Sequence, residues 1–298
     1  MRDTAMSEVR IFTAAPAMAP LYARAVRGSL PGRRREVPAA GQAGDLEVRR
    51  VGVTTDIDHL AAYARLTGGG LDGRLPGLYP HLAAFAPQLA LMTDARFGFA
   101  VLGLVHVGTT VTVHRLLSRA DAYDVVVRTG RTRPHRHGRL VDLETSVTIA
   151  GQTAWEETTT LLSRAAGGDP RAVDTSPLAA LAAPAGQTRW AVPAHTGRAY
   201  ARLSGDRNPI HLSRLTANAF GFPRAIAHGM WTAARVLAAV EPDVPAPYRY
   251  DVAFRSPLLL PAEVRFGTRT DPDAGLLLGV VSADGVRQHL VARVQPLG

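Results

Sequence analysis

The sequence predicts an α+β protein that uses one plan twice, and three observations carry that prediction. The heptapeptide YARLTGG at Tyr63 to Gly69 returns as YARLSGD at Tyr200 to Asp206. Each copy follows one strand-like stretch and runs into an alanine-rich helical stretch, then four stretches rich in β-branched residues. Between the halves, residues 165–187 (AAGGDPRAVDTSPLAALAAPAGQ) are rich in Ala, Gly and Pro and read as a linker. The expected organisation is an N-terminal extension at 1–44, a first unit at 45–164, the linker at 165–187 and a second unit at 188–298.

In chain order, APLYARAVRG in the extension predicts a short outer helix, and LEVRRVGV opens the first unit as a strand. PHLAAFAPQLALM is the first long helix. TTVTVHRLL, YDVVVRTG, RLVDLETSVTIA and TAWEETTTLLS follow as strands; alternation in VTVHRL and ETSVTIA marks half-buried strands, and AGQT reads as a hairpin turn. The second unit starts with TRWAVPA as a strand. LSRLTANAFGF predicts a short helix stopped by Gly221, and HGMWTAARVLAAV a long one beginning near His228 and Gly229, with Met230, Ala234, Leu237 and Ala238 toward the core. YRYDVAFRS, AEVRFGTRT, GLLLGVVSA and RQHLVARVQ complete the meander, the last three separated by the turn sequences DPDAG and ADG.

Composition narrows the class. Hydrophobic residues make up 46% and charged residues 20% of 298, the balance of a globular protein with room for a core. No apolar run is long enough to span a bilayer, and the absence of cysteine removes disulfides, thiolate metal sites and cysteine nucleophiles. Charged residues interrupt the N-terminus before an apolar signal region forms, so a cytoplasmic location is expected. The formal charge of +9 rests on arginine alone, since the sequence contains no lysine. That choice fits a GC-rich genome, while the positive sign suits phosphate-bearing ligands or acidic carrier proteins.

The chemistry concentrates in YARLSGDRNPIHL, Tyr200 to Leu212, which places Asp206, Asn208 and His211 around a Gly and a Pro. Pro209 fixes its own φ and disfavours helical geometry at Asn208, and Gly205 adds a flexible point, so this segment is expected not to be a regular helix. A carboxylate and an imidazole converging on one turn can share a water or a substrate proton. The unpaired N–H of Gly229, in the first turn of the following helix, is placed to meet a developing oxyanion.

The run YARLSGDRNPIHLSRLTANAFGFPRAIAHGMW resembles the signature of the MaoC-like, R-specific enoyl hydratases and 3-hydroxyacyl-thioester dehydratases. LYPHLAAFAPQLALM and FAVLGLVHVG are similar to the N-terminal half of actinobacterial acyl dehydratases of that family. The resemblance covers most of the chain and implies a double hotdog, an N-terminal copy without catalytic residues and a C-terminal copy with them. It implies that Asp206 and His211 hold and activate water, that Asn208 fixes the loop, and that the Gly229 N–H polarises the thioester carbonyl. It also implies neither metal nor redox cofactor. Gly69 stands where Asp206 would align, so the first copy lacks the dyad, which leaves room for a long acyl chain. One departure is Leu237, where some short-chain members carry a polar residue.

Other readings stand beside this one. Asp206, His211 and His228 are conceivable metal ligands, but their spacing fits no standard pattern, and His228 is expected to orient the loop or pack. The basic run Arg128 to Arg139 (RTGRTRPHRHGR) lacks the interleaved aromatics of a nucleic-acid surface and reads as a solvated hairpin loop. That loop and Arg255 are expected contacts for phosphates of coenzyme A or for an acidic carrier protein. His81, near the start of the first long helix, is given no chemistry. A hotdog acyl-thioesterase and a non-catalytic acyl- or nucleic-acid-binding module are the alternatives. With two hotdogs in one chain, either a monomer or a homodimer is consistent with the sequence.

Overall fold

The computed structural model describes residues 9–29, 46–164, 167–174, 176–271 and 275–298. Its elements are β1 (Val9–Phe12), α1 (Met18–Gly28), β2 (Glu47–Val53), α2 (Ile57–Thr67), α3 (Pro80–Met92), β3 (Leu104–Val113), β4 (Tyr123–His135), β5 (Gly138–Ile149) and β6 (Gln152–Ser163). They continue with β7 (Thr188–Val192), α4 (Thr196–Ser204), α5 (Arg214–Asn218), α6 (Gly229–Ala238), β8 (Tyr248–Phe254), β9 (Ala262–Asp271), β10 (Gly275–Ser282) and β11 (Gln288–Pro296). The strand order is β2-β4-β5-β6-β3 in the first half and β7-β9-β10-β11-β8 in the second, one plan repeated, as the double-hotdog expectation requires. β1, which the sequence did not announce, adds to β2 in parallel.

Each long helix is buried nearly all round, which is why neither shows a narrow apolar stripe. In α6, Met230, Trp231, Ala233, Ala234, Val236 and Leu237 are all buried, while Ala238 is only half-buried. The helix packs on β10 and β11. Burying a side chain the size of Met230 or Leu237 contributes roughly 1.5–3 kcal/mol. In α3 the buried Gln88 amide donates to Thr145 Oγ1 at 3.1 Å, tying the helix to β5.

The chain forms two compact units. One comprises the described residues up to Thr54 together with Ala83–His106 and Ala122–Asp174; the other comprises Thr55–Leu82, Val107–Asp121 and the described residues from Ser176 onward. These units interleave in sequence, unlike the expected split into 45–164 and 188–298. The reason lies in the packing: α2 lies against α4 and α6, and β3 pairs antiparallel with β8 from Gly108↔Ala253 to Val113↔Tyr248.

Two sequence expectations need correction here. Of the stretch read as a linker, residues 167–174 belong to the first unit and residues 176–187 pack on the second: Leu178 is buried against Ala253 and Val291, with Leu181 and Ala183 beside it, and the Ala183 N–H donates to Gln288 Oε1 at 3.0 Å. Positions 165, 166 and 175 lie outside the described residues. The basic run Arg128 to Arg139 is no solvated loop but the paired ends of β4 and β5, with a turn only at Arg136 and His137. Within it, Arg128 pairs with Glu47 and Arg133 with Asp142.

Candidate active site

Asp206 stands two residues beyond the end of α4, after Gly205. Tyr200 to Ser204 are helical, contrary to the expectation for this stretch, because Gly205 comes after the helix and closes it in the left-handed conformation (φ 78°) with its N–H on Ala201 O. The first-half copy is built the same way: α2 ends at Gly68 (φ 75°), whose N–H bonds Ala64 O. Helix end against helix end, Gly69 occupies the place of Asp206. After Asp206 the chain is non-α, as Pro209 requires, with a 3-10 turn at Pro209–His211 capped by the Asn208 side chain, which accepts from the Ile210 N–H.

The loop is held at several atoms. The Asp206 N–H donates to Ser204 Oγ at 3.1 Å, and the Asn208 N–H to Asp206 Oδ1 at 3.1 Å. His211 Nδ1 donates to the carbonyl of Ile226 at 2.9 Å, which leaves its Nε2 with a lone pair. His228 Nε2 donates to the Asp206 carbonyl at 3.0 Å and lies 3.6 Å from Asp206 Oδ2. Its buried Nδ1 has no partner among the described residues. The His211 and His228 rings stack with centroids 3.6 Å apart and planes 25° from parallel.

These contacts set the charges. Burial works against the Asp206 carboxylate, but the imidazoles of His228 and His211 and the Asn208 N–H outweigh it and hold the group below its ordinary range. Burial lowers His211, with Asp206 opposing. His228 is pushed down to about 3, by burial first and then by His211. Near neutrality the cluster is one carboxylate and two neutral imidazoles, of which His211 offers a basic nitrogen. The Asp206 side chain keeps 26% of its surface accessible, so the dyad is reachable.

The potential ligand atoms of Asp206, His211 and His228 lie within 4.8 Å of one another. Stacked imidazoles, however, point their in-plane lone pairs side by side rather than at one ion, and His228 Nε2 is already a donor. The arrangement suits proton transfer better than coordination.

Gly229 is the first residue of α6, and its N–H belongs to the turn that has no intrahelical acceptor. A Cβ there would stand 2.9–3.1 Å from the Phe254 ring, so glycine is needed for this approach. Arg255 is not brought to the dyad: its guanidinium donates to the carbonyls of Leu178 and Ala179. His81, to which the sequence reading gave no chemistry, is buried at the start of α3 and close enough for its charge to bear on Asp206 and His228.

The family model described as "MaoC like domain" matches residues 171–270. The chain is 38% identical over 277 residues to 3-hydroxyacyl-thioester dehydratase X of Mycobacterium tuberculosis (strain ATCC 25618 / H37Rv), covering 92% of this chain and 96% of that protein. The crystal structure of HtdX of Mycobacterium tuberculosis superposes with a TM-score of 0.73 at 35% identity, covering 84% of this chain and all of that one. A MaoC-like dehydratase from Phytophthora capsici, at 16% identity and a TM-score of 0.68 over 84% of this chain and 95% of its own, shares the fold.

Proposed function

The chain belongs to the MaoC-like dehydratases, and from that premise we propose that it is a hydro-lyase of fatty-acyl metabolism that reversibly dehydrates (R)-3-hydroxyacyl thioesters to trans-2-enoyl thioesters. One observation carries the reading: the His211 ring, fixed by its bond to Ile226 O, keeps a basic Nε2 beside the Asp206 carboxylate.

In dehydration, His211 Nε2 takes the proton from the carbon next to the thioester carbonyl. The electron pair moves into that carbonyl as an enolate, which the Gly229 N–H stabilises at the positive end of α6. Asp206 holds the 3-hydroxyl. The enolate collapses to the C2–C3 double bond as the C3–O bond breaks, and the His211 imidazolium returns its proton to the departing hydroxide as water. The balance is one water released and an enzyme restored. Hydration is the reverse. Asn208 fixes the loop and His228, neutral and donating to the Asp206 carbonyl, orients it.

The substrate is an acyl thioester of coenzyme A or of an acyl carrier protein. The chain acts as a monomer or homodimer in the cytoplasm, without nucleic acid; no described helix is long and apolar enough to cross a membrane. The test is loss of the enoyl chromophore with short and long trans-2-enoyl-CoA, chiral analysis of the product and a free-thiol assay alongside. Turnover to the R-3-hydroxyacyl product, strongly reduced in Asp206→Asn and His211→Asn, is expected. Thiol release without hydration would instead make the protein a thioesterase.

A further inference from the structure

We propose that His59, carried by the first-half helix α2, is a positioning residue for the catalytic loop: its bond to the Leu203 carbonyl sets where Asp206 stands. This rests on the dehydratase reading above.

Both ring nitrogens of His59 are engaged. Nε2 lies 2.9 Å from Leu203 O, which can only accept, so Nε2 carries the proton; Nδ1 then bears the lone pair and accepts from the Tyr79 hydroxyl at 2.8 Å. Tyr79 is itself buried, its ring edge-on to His59 and Tyr63 at 5.7 and 5.3 Å. The imidazole is therefore a fixed strut with one orientation.

Leu203 lies in the last turn of α4, where helix carbonyls lack intrahelical partners and look outside the helix for donors. Only Ser204 and Gly205 separate it from Asp206. Neither gives slack: Ser204 Oγ donates to Tyr200 O and accepts the Asp206 N–H, and Gly205 is closed on Ala201 O. A shift at Leu203 O is passed to the carboxylate.

The same helix is also held by the oxyanion side of the site. Trp231 Nε1 donates to Leu66 O and Arg235 to Thr67 O, each at 3.1 Å, and both donors belong to α6, which begins with Gly229. Thus α2 accepts from the helix that presents the oxyanion N–H and donates to the helix that ends at the carboxylate. The first-half copy, with Gly69 in place of the aspartate, keeps a function as the brace that fixes the spacing of the second-half groups.

The test compares two polar amides that differ by one methylene in the full-length protein. The Gln amide of His59→Gln reaches the place of Nε2 and keeps the donor to Leu203 O, whereas that of His59→Asn reaches only the place of Nδ1. Expected for His59→Asn is a fall in kcat for enoyl-thioester hydration of about tenfold or more, with KM nearly unchanged, and faster amide exchange across residues 205–211. His59→Gln should retain most of the parent's kcat and its exchange protection. Equal kcat and equal exchange in both variants and the parent would overturn the inference, as would His59→Gln falling as far as His59→Asn. Exchange needs no turnover, so a parent inactive on every thioester would sink the dehydratase reading while the loop measurement still decides the brace.

Discussion

His211 donates its Nδ1–H to the carbonyl of Ile226 across 2.9 Å, and that bond fixes which nitrogen is the base. Because a carbonyl only accepts, the proton stays on Nδ1 and Nε2 faces the chemistry unprotonated. His211→Asn keeps an amide donor near the Nδ1 position but has no base. We expect kcat to fall about 10²- to 10⁴-fold with little change in melting temperature; a variant within tenfold of the parent would remove His211 from the reaction. Asp206→Asn should fall comparably.

Gly197 lets α4 approach the turn that carries His211. A Cβ there would sit 2.2 Å from His211 O, a backbone atom that cannot swing aside. Gly197→Ala should lower stability by about 1–3 kcal/mol and reduce kcat more than KM rises, because the displaced group is the base. Denaturant unfolding and steady-state kinetics on one preparation check both. Parent-like values would mean that the helix and turn separate freely.

The pH dependence follows from the buried imidazoles. His228, held at about 3, and His211, also lowered, stay neutral in the folded protein while the unfolded chain protonates near 6.5. Stability is therefore full above pH 6.5 and falls as pH drops below it, at up to about 1.4 kcal/mol per pH unit from His228. Asp206 acts in the same direction at lower pH, a lowered carboxylate whose contribution is full above its ordinary range and is lost only below about pH 4. Unfolding midpoints between pH 7.5 and 4.8 should drop in the parent and flatten in His228→Gln, which keeps a donor at the Nε2 position. The rate should be level above pH 6.5 and decline only in more acid solution, as His211 protonates.

Much of the site was readable because its signals are local. Pro209 dictates the non-helical turn, Gly229 marks a helix start, and Gly69 facing Asp206 declares which copy lacks the carboxylate. The bounds of α3 follow from a run that is apolar except for His81 and Gln88. What escaped depends on distant partners. Gly205 looked like a breaker inside the segment, yet it caps a helix that reaches Ser204. β1 is four residues that exist by pairing with β2. Residues 176–187 have the composition of a linker, but Leu178 finds a place against Ala253 and Val291. Nothing around His59 in sequence announces Leu203, 144 residues away.

Glu241 is a half-buried carboxylate whose pKa is raised by desolvation, although the Tyr248 hydroxyl and the Gly77 N–H both donate to its Oε1 at 2.7 Å. A raised acid costs stability as pH climbs past its unfolded value near 4.5. Glu241→Gln keeps an acceptor oxygen without the charge, so it should equal or exceed the parent in stability at pH 8 and lose that advantage near pH 5. Tyr248→Phe, which leaves the carboxylate short of a donor, should cost about 1–3 kcal/mol at pH 8. A Glu241→Gln variant clearly weaker than the parent at pH 8 would mean that the charge itself is stabilising.

Arg255 separates a structural role from a substrate one. Its guanidinium donates to the carbonyls of Leu178 and Ala179, and its own N–H bonds His289 O, so it ties the 176–187 segment to the end of β8. Removing it leaves those carbonyls short of a donor and loosens the segment over Ala253 and Val291. Arg255→Ala should therefore speed proteolysis within 176–187. It should leave KM for enoyl-CoA within about twofold, because the guanidinium is already engaged by protein carbonyls and a single exposed ion pair adds little to binding. If KM rose severalfold with the parent's protease pattern, and the rise vanished with 3′-dephospho-CoA thioesters, Arg255 would bind a substrate phosphate and the tether would be incidental.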